Sequence, residues 1–190
     1  SNRTRIADYD KFYQNVYPGG PIRFDAAGAP LADIRGYNNA TERENLFNQT
    51  DFVWSIEGGL RQTVLFGAEF GRQETDNLRN TAYFGAPGST TTSVLVPFET
   101  PRYTGPVEFR QGSSDARNHG VARVAAVYVQ DQVEFSPHWE AIVGLRYDHF
   151  SVDFDDLRAT TPAANREISS TDKLLSPRAG LVYKPIEPLS

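Results

Sequence analysis

The chain lacks cysteine and methionine altogether. Without thiols it forms neither disulfides nor a thiolate metal site. With no methionine it does not begin at an initiator, and its first strand-like run starts at once, at Arg3. It is therefore expected to be a portion of a longer protein, and a missing signal peptide says nothing about targeting. No run of about 18 or more apolar residues occurs, so no transmembrane helix is expected. A basic excess is missing too: the net charge is −5 over 190 residues. That argues against a nucleic-acid partner, which would need cations to neutralise phosphates. Helical periodicity is weak throughout. A mean hydropathy of −0.49 resembles that of a soluble protein, but a membrane β-barrel, whose strands show only half their residues to lipid, can share it.

What the chain has is strand-like alternation, with two kinds of connection between the segments. Six strands are expected: Arg3–Tyr17, Arg43–Ile56, a third after Gly58-Gly59 containing Val64 to Gln73, Val121–Phe135, Trp139–Phe154 and Leu174–Lys184. Tight turns at Glu57-Gly58-Gly59-Leu60 and Ser136-Pro137-His138 alternate with polar loops at Pro18–Thr41, Asn80–His119 and Leu157–Asp172. Short turns on one rim and long loops on the other are the habit of a transmembrane barrel.

Parity separates two faces. Leu46, Phe52, Trp54, Val64, Phe66, Phe70, Val127, Val129, Val133, Val143, Leu145 and Leu181 share one. Glu69, Gln130, Arg146, Asp148 and Arg178 share the other. Buried unpaired charges are costly, so the second face reads as a wet lumen or a surface against a polar plug. Asp131 falls on the apolar parity and is expected near the membrane boundary. An antiparallel sheet with one solvated face gives the same alternation. Aromatics near strand ends (Trp54, Trp139, Tyr147, Tyr183) favour a membrane with interfacial girdles. Six strands cannot close such a barrel, which again points to a portion of a larger wall.

Several stretches resemble one family. Tyr128-Val-Gln-Asp-Gln-Val-Glu-Phe-Ser-Pro-His-Trp139 followed by Gly144-Leu-Arg-Tyr-Asp-His-Phe150 is similar to a barrel hairpin of TonB-dependent siderophore receptors. So is Leu175-Ser-Pro-Arg-Ala-Gly-Leu-Val-Tyr-Lys-Pro185. Residues 7–17, 44–51 and 66–73 resemble the branch that includes catecholate receptors. The resemblance implies an all-β, antiparallel up-and-down transmembrane barrel of 22 strands in the outer membrane of a Gram-negative cell, closed by an N-terminal plug. Residues 1–190 would be a partial barrel domain without the plug and the remaining strands. It also implies binding of a ferric siderophore, such as a catecholate, at the extracellular loops. The TonB-ExbB-ExbD complex would act through the plug, with outer-membrane lipid and lipopolysaccharide around the wall. The siderophore would be cargo; no cofactor is called for. A passive porin-type channel and a soluble β-sheet ligand-binding protein are the alternatives.

Candidate ligand contacts come from charge and aromatic patterning. Between Arg79 and Arg123 there are five arginines against three carboxylates, interleaved with aromatics. Arg offers planar charge-assisted donors, which suit an anionic aromatic chelate. Tyr83, Phe84, Arg102, Tyr103, Arg110 and Arg117 are the candidates from this stretch, with Arg35 and Tyr37 from the first polar loop. His119, His138 and His149 are too scattered for a metal site. Asp153-Phe-Asp-Asp156 lacks the full ligand set and turn glycine of a calcium loop. No P-loop, dinucleotide fingerprint, nucleophile elbow or spaced triad is present, so catalysis is not expected.

Overall fold

Alternating β-branched and aromatic residues over stretches of ten or more favour extended backbone, and the computed structural model, which describes residues 1–185, is almost entirely strand. The elements in chain order are β1 (Asn2–Pro18), β2 (Arg23–Phe24), β3 (Pro30–Ile56), β4 (Arg61–Phe84), β5 (Val94–Pro97), β6 (Val107–Arg110), β7 (Arg117–Ser136), β8 (Trp139–Asp156), a single 3-10 turn (Ala163–Asn165) and β9 (Glu167–Tyr183). The long strands pair antiparallel in the order β1-β3-β4-β7-β8-β9, an up-and-down meander in one layer. The expected fold class and all six long strands are present.

Register confirms the parity. Trp54 lies opposite Val64, which lies opposite Asp131, then Val143, then Ala179. One row down the apolar face, Phe52, Phe66, Val129, Leu145 and Pro177 are aligned in the same way. Phe52 stacks on Phe66 at 5.1 Å, and Trp139 lies 4.6 Å from Tyr183 beside the short turn of β7 and β8. These side chains remain exposed: Trp54 is 64% and Leu181 63% accessible. An apolar face so open, with no second layer over it, fits a lipid-facing belt about 9–11 residues tall on each strand.

The loops expected from polarity are shorter than predicted, because the strands outrun the belt. β3 has 27 residues, about 90 Å at roughly 3.3 Å per residue, and a tilted membrane strand needs about a third of that. Backbone pairing continues beyond the lipid, where a strand no longer has to be apolar on one side. The first polar loop therefore contracts to residues 19–29, interrupted by β2. The second begins only after Phe84 and contains β5 and β6, and the third ends at Glu167.

Beyond the belt, the continuation of the apolar face carries a small core of its own. β5 pairs with the far end of β3, and β6 with the far end of β4. The 85–116 loop closes over Ile34, Ala82, Phe84 and Val96, all at most 6% exposed. Tyr103 packs edge-on against Phe84 at 5.3 Å. Burying a ring of this size contributes about 2 kcal/mol. The loop is also tied by the buried Asp115 carboxylate. It accepts hydrogen bonds from the Thr81 amide (2.9 Å), the Thr81 hydroxyl (2.9 Å) and the Gly112 amide (2.7 Å).

Candidate ligand-binding site

The polar face of β1, β3 and β4 gathers three tyrosines and an arginine at its membrane-distal end. Register dictates the meeting. Asn39 lies opposite both Tyr13 on β1 and Arg79 on β4, which places those two diagonally next to Tyr37. Tyr17 lies opposite Arg35 and meets Tyr37 from the other diagonal. Tyr13 and Tyr17 each approach Tyr37 edge-on with centroids 5.8 Å away, at 85° and 78°. The guanidinium of Arg79 covers the Tyr37 ring at 4.2 Å. The Asn15 side-chain amide donates to the Tyr37 hydroxyl at 3.1 Å. Lys11 adds a second cation, 5.3 Å from the Tyr13 ring.

Arg79 is held from behind. Its Nε lies 3.5 Å from Asp115, close enough for an ion pair but not aligned for a hydrogen bond. Among the described residues its terminal nitrogens donate to nothing, and its side chain is 40% accessible. The result is a fixed, planar cation beside electron-rich rings, with donors still available to an anion.

A second cluster lies four residues further along β4 from Arg79. Tyr83 shares the face of Arg79, and Arg110 of β6 covers its ring at 3.7 Å. Arg110 is itself steered by Glu108 (2.8 Å) and by the Ser89 carbonyl.

Among the candidates from the sequence, Arg35, Tyr37, Tyr83 and Arg110 therefore stand on one polar face. The others do not join them. Phe84 points to the opposite side and is 3% exposed, so it is a core residue rather than a ligand contact. Tyr103 packs on Phe84 and serves the same core. Arg117, opposite Leu78, also takes the side away from Tyr37. Arg102 is exposed on the loop, with no side-chain partner among the described residues. Arg35 and Tyr37 belong to β3 rather than to a loop, and the stretch from Arg79 to Arg123 is not one surface but several strands and turns.

Sequence reasoning missed Tyr13, Tyr17, Lys11 and Arg79 as members of the site. A signal existed in β1, where Tyr9, Lys11, Tyr13 and Tyr17 all have one parity. It was masked because Asp8 and Asp10 interrupt the opposite parity, which otherwise carries Ile6, Phe12 and Val16.

Deeper on the same face, the polar residues assigned inward do form a network. Arg146 of β8 reaches across β7 to Glu69 of β4 with two 3.1 Å hydrogen bonds, and donates to Asp148 at 2.8 and 3.1 Å. Tyr128 lies beneath it, donating its hydroxyl to Asp51, while Arg178 donates to Gln130 at 3.1 Å. Tyr128 lies flat because residue 67 is glycine; a Cβ there would come within 2.6 Å of its ring.

An all-antiparallel meander with a bare apolar belt, a charged opposite face, short turns on one rim and folded loops on the other is part of the wall of an outer-membrane β-barrel. The chain matches the family model described as TonB dependent receptor-like, beta-barrel, over residues 2–190, and it belongs to that family. It is 29% identical over 146 residues to the metal-pseudopaline receptor CntO of Pseudomonas aeruginosa, covering 75% of this chain and 20% of that protein. It is 24% identical over 159 residues to the probable TonB-dependent siderophore receptor PiuA of Acinetobacter baumannii, covering 77% of this chain and 21% of that protein. Among solved structures, the ferric-catecholate import receptor Fiu of E. coli K12 superposes with a TM-score of 0.69 at 17% identity, over 97% of this chain and 28% of that one. The chain thus spans about a fifth of the length of the curated relatives it matches. The likeness to Fiu shows the fold, and the names of the relatives are those of receptors, not enzymes.

Proposed function

We propose that this chain forms part of the wall of a receptor that takes up ferric siderophores across the outer membrane. The observation that carries the reading is the Tyr13, Tyr17, Tyr37 and Arg79 cluster on the polar face beyond the lipid belt. Tyrosine rings packed edge-on around Tyr37, with a guanidinium flat over it, suit an anionic chelate with planar aromatic arms, which pack on rings and accept charge-assisted hydrogen bonds at once. A catecholate complex has both properties. Family membership supports uptake energised by the TonB-ExbB-ExbD complex through a plug domain filling the lumen. The apolar belt supports contact with outer-membrane lipid, with lipopolysaccharide above it.

The test is radioiron uptake by iron-starved cells that lack other ferric receptors and carry the complete receptor, using the ferric tris-catechol complex as probe. Uptake that disappears with TonB is the expected result. Uptake that persists without TonB would make the protein a passive channel, and no uptake of any ferric chelate would sink the reading. The likeness to a metal-pseudopaline receptor favours a second cargo, a chelate of another metal. The same cells given a labelled metal ion other than iron, with and without a chelator, decide between the two.

A further inference from the structure

The Asp115 carboxylate does more than its place in the 85–116 loop requires. It is 4% exposed and sits against the polar face of β4. Arg79, Thr81 and Tyr83 alternate along that face, and Thr81 lies directly opposite Tyr37. The Thr81 amide, the Thr81 hydroxyl and the Gly112 amide all donate to Asp115. Three such donors compensate a buried carboxylate without help from a cation. Arg79 is therefore an addition, with its Nε 3.5 Å from Oδ1. The backbones are joined as well, because the Arg79 amide donates to the Ala116 carbonyl at 2.9 Å. Glycine at 112 lets the turn close. A Cβ there would come within 3.1 Å of both the Asp115 carboxylate and the Tyr83 hydroxyl.

Two contacts constrain the Arg79 guanidinium in different ways. The Tyr37 ring lies 4.2 Å from Cζ and sets the plane. Asp115 lies beside Nε and sets the rotation within that plane. Nε is shielded from water and has no hydrogen-bond partner among the described residues. What holds it to Asp115 is charge, which acts strongly where water is excluded. A planar fork pinned on its face and at Nε has its terminal nitrogens aimed in one direction. They point to the accessible part of the side chain, which is 40% exposed in all. A long side chain already held in place spares a ligand the entropic cost of ordering it.

We infer that Asp115 is a positioning residue for an anionic ligand: from behind the site it aims the donors of Arg79, and it does not touch the ligand itself. The same carboxylate folds residues 112–115 onto β4, so the aim of Arg79 and the fold of this turn depend on one group. Linkage makes that dependence mutual. A ligand that fixes Arg79 also tightens the turn behind it. The inference rests on the proposed binding of a ferric catecholate and adds to it the group that prepares the arginine.

The experiment uses the complete receptor in detergent, with the ferric tris-catechol complex as probe. Asp115→Asn keeps an acceptor for the turn and removes the charge. It should weaken binding about fivefold, a coupling of the size found between residues in contact. In an Arg79→Gln background the same substitution should change affinity by less than about twofold, because no guanidinium remains to be aimed. Equal losses in the two backgrounds overturn the inference, since a merely structural carboxylate acts whatever stands at position 79. Amide hydrogen exchange over residues 112–116 gives a second reading that needs no variant at position 115. Saturating probe should slow exchange in the wild type and leave it unchanged in Arg79→Gln. Slowing of equal size in both also overturns the inference, so the test stands even where Asp115→Asn fails to fold. If the wild type binds no ferric chelate, the proposed function falls and takes the positioning role with it. A wild type that binds, together with additive losses, removes the role of Asp115 alone.

Discussion

Arg79 lies flat over Tyr37, its guanidinium carbon 4.2 Å from the ring centroid. The two residues come from different strands and meet only because Tyr37 pairs with Thr81 in the β3–β4 register. Lysine at position 79 would keep the charge and lose the planar stack. Cation–π contacts at partly exposed sites are worth about 0.5–1 kcal/mol, so Arg79→Lys should weaken binding of the ferric tris-catechol complex about two- to fivefold. Arg79→Gln should weaken it further. Fluorescence titration of the complete receptor in detergent measures both. Equal affinity in wild type and Arg79→Lys would show that the stacked geometry is not used.

Glu69 and Asp148 share Arg146, which bridges strands that are not neighbours. The side chains are between 23% and 35% accessible, so solvent screens the pair. Glu69→Gln should cost about 0.5–1 kcal/mol, as partly exposed pairs do. Arg146→Gln should cost more, about 1–2 kcal/mol, because Glu69 and Asp148 then repel with nothing between them. A double-mutant cycle read by thermal unfolding in detergent separates the coupling from the single losses. Additive effects would mean that the two residues do not act together.

The belt was legible in the sequence because lipid imposes a contrast of hydropathy on alternate residues. Val64, Phe66 and Phe70 against Thr63, Gly67 and Glu69 is such a contrast, and it orients β4, β7, β8, β9 and the belt half of β3. β1 and the far halves of β3 and β4 differ between faces in the sign of charge instead. Asp8 and Asp10 oppose Lys11 and Tyr13, and Glu42 and Glu44 oppose Arg43. A search for apolar periodicity passes over them, which is why residues 30–42 read as loop. The site was legible only in fragments. Tyr37 and Arg35 stood out as near neighbours in the chain, but Tyr13 and Arg79 join them through register, which single-strand patterns do not encode. Phe84 looked like a contact because it is aromatic in a basic stretch; its parity puts it in the core.

The Asp156 carboxylate organises the β8–β9 loop. It accepts from the Arg158 guanidinium at 2.9 and 3.0 Å, from the Arg158 amide at 3.0 Å and from the Thr161 hydroxyl at 2.9 Å. The bonds from Arg158, more than burial opposes them, hold its pKa well below the usual carboxylate range. A pKa depressed in the folded state stabilises the ionised form. The contribution is complete above the unfolded value of about 3.9 and is lost as pH falls toward the folded one. Pepsin digestion of the receptor should therefore leave residues 157–166 intact near the top of that window and cut them increasingly as pH falls through it. In Asp156→Asn the loop should be cut throughout. Cleavage that is independent of pH in the wild type would dismiss this role.

Asp131 stands between Val64 and Val143 on the apolar face, five residues before the end of β7 at Ser136. It lies inside the belt rather than at its last row, and its Oδ1 is shielded from solvent without a hydrogen-bond partner. An acidic side chain on the lipid face costs less than a basic one, but it still costs, and the penalty grows with depth. Asp131→Val restores the alternation of Val129 and Val133 and removes an unsatisfied oxygen. It should stabilise the barrel by about 1 kcal/mol, seen as a higher temperature for loss of the folded band in semi-native electrophoresis. Asp131→Asn keeps a polar group of the same shape and should gain much less. Asp131→Arg should destabilise. If valine instead lowers the transition, Asp131 has a partner in the complete wall, and its place on the apolar face marks a contact with another polar group rather than a blemish in the belt.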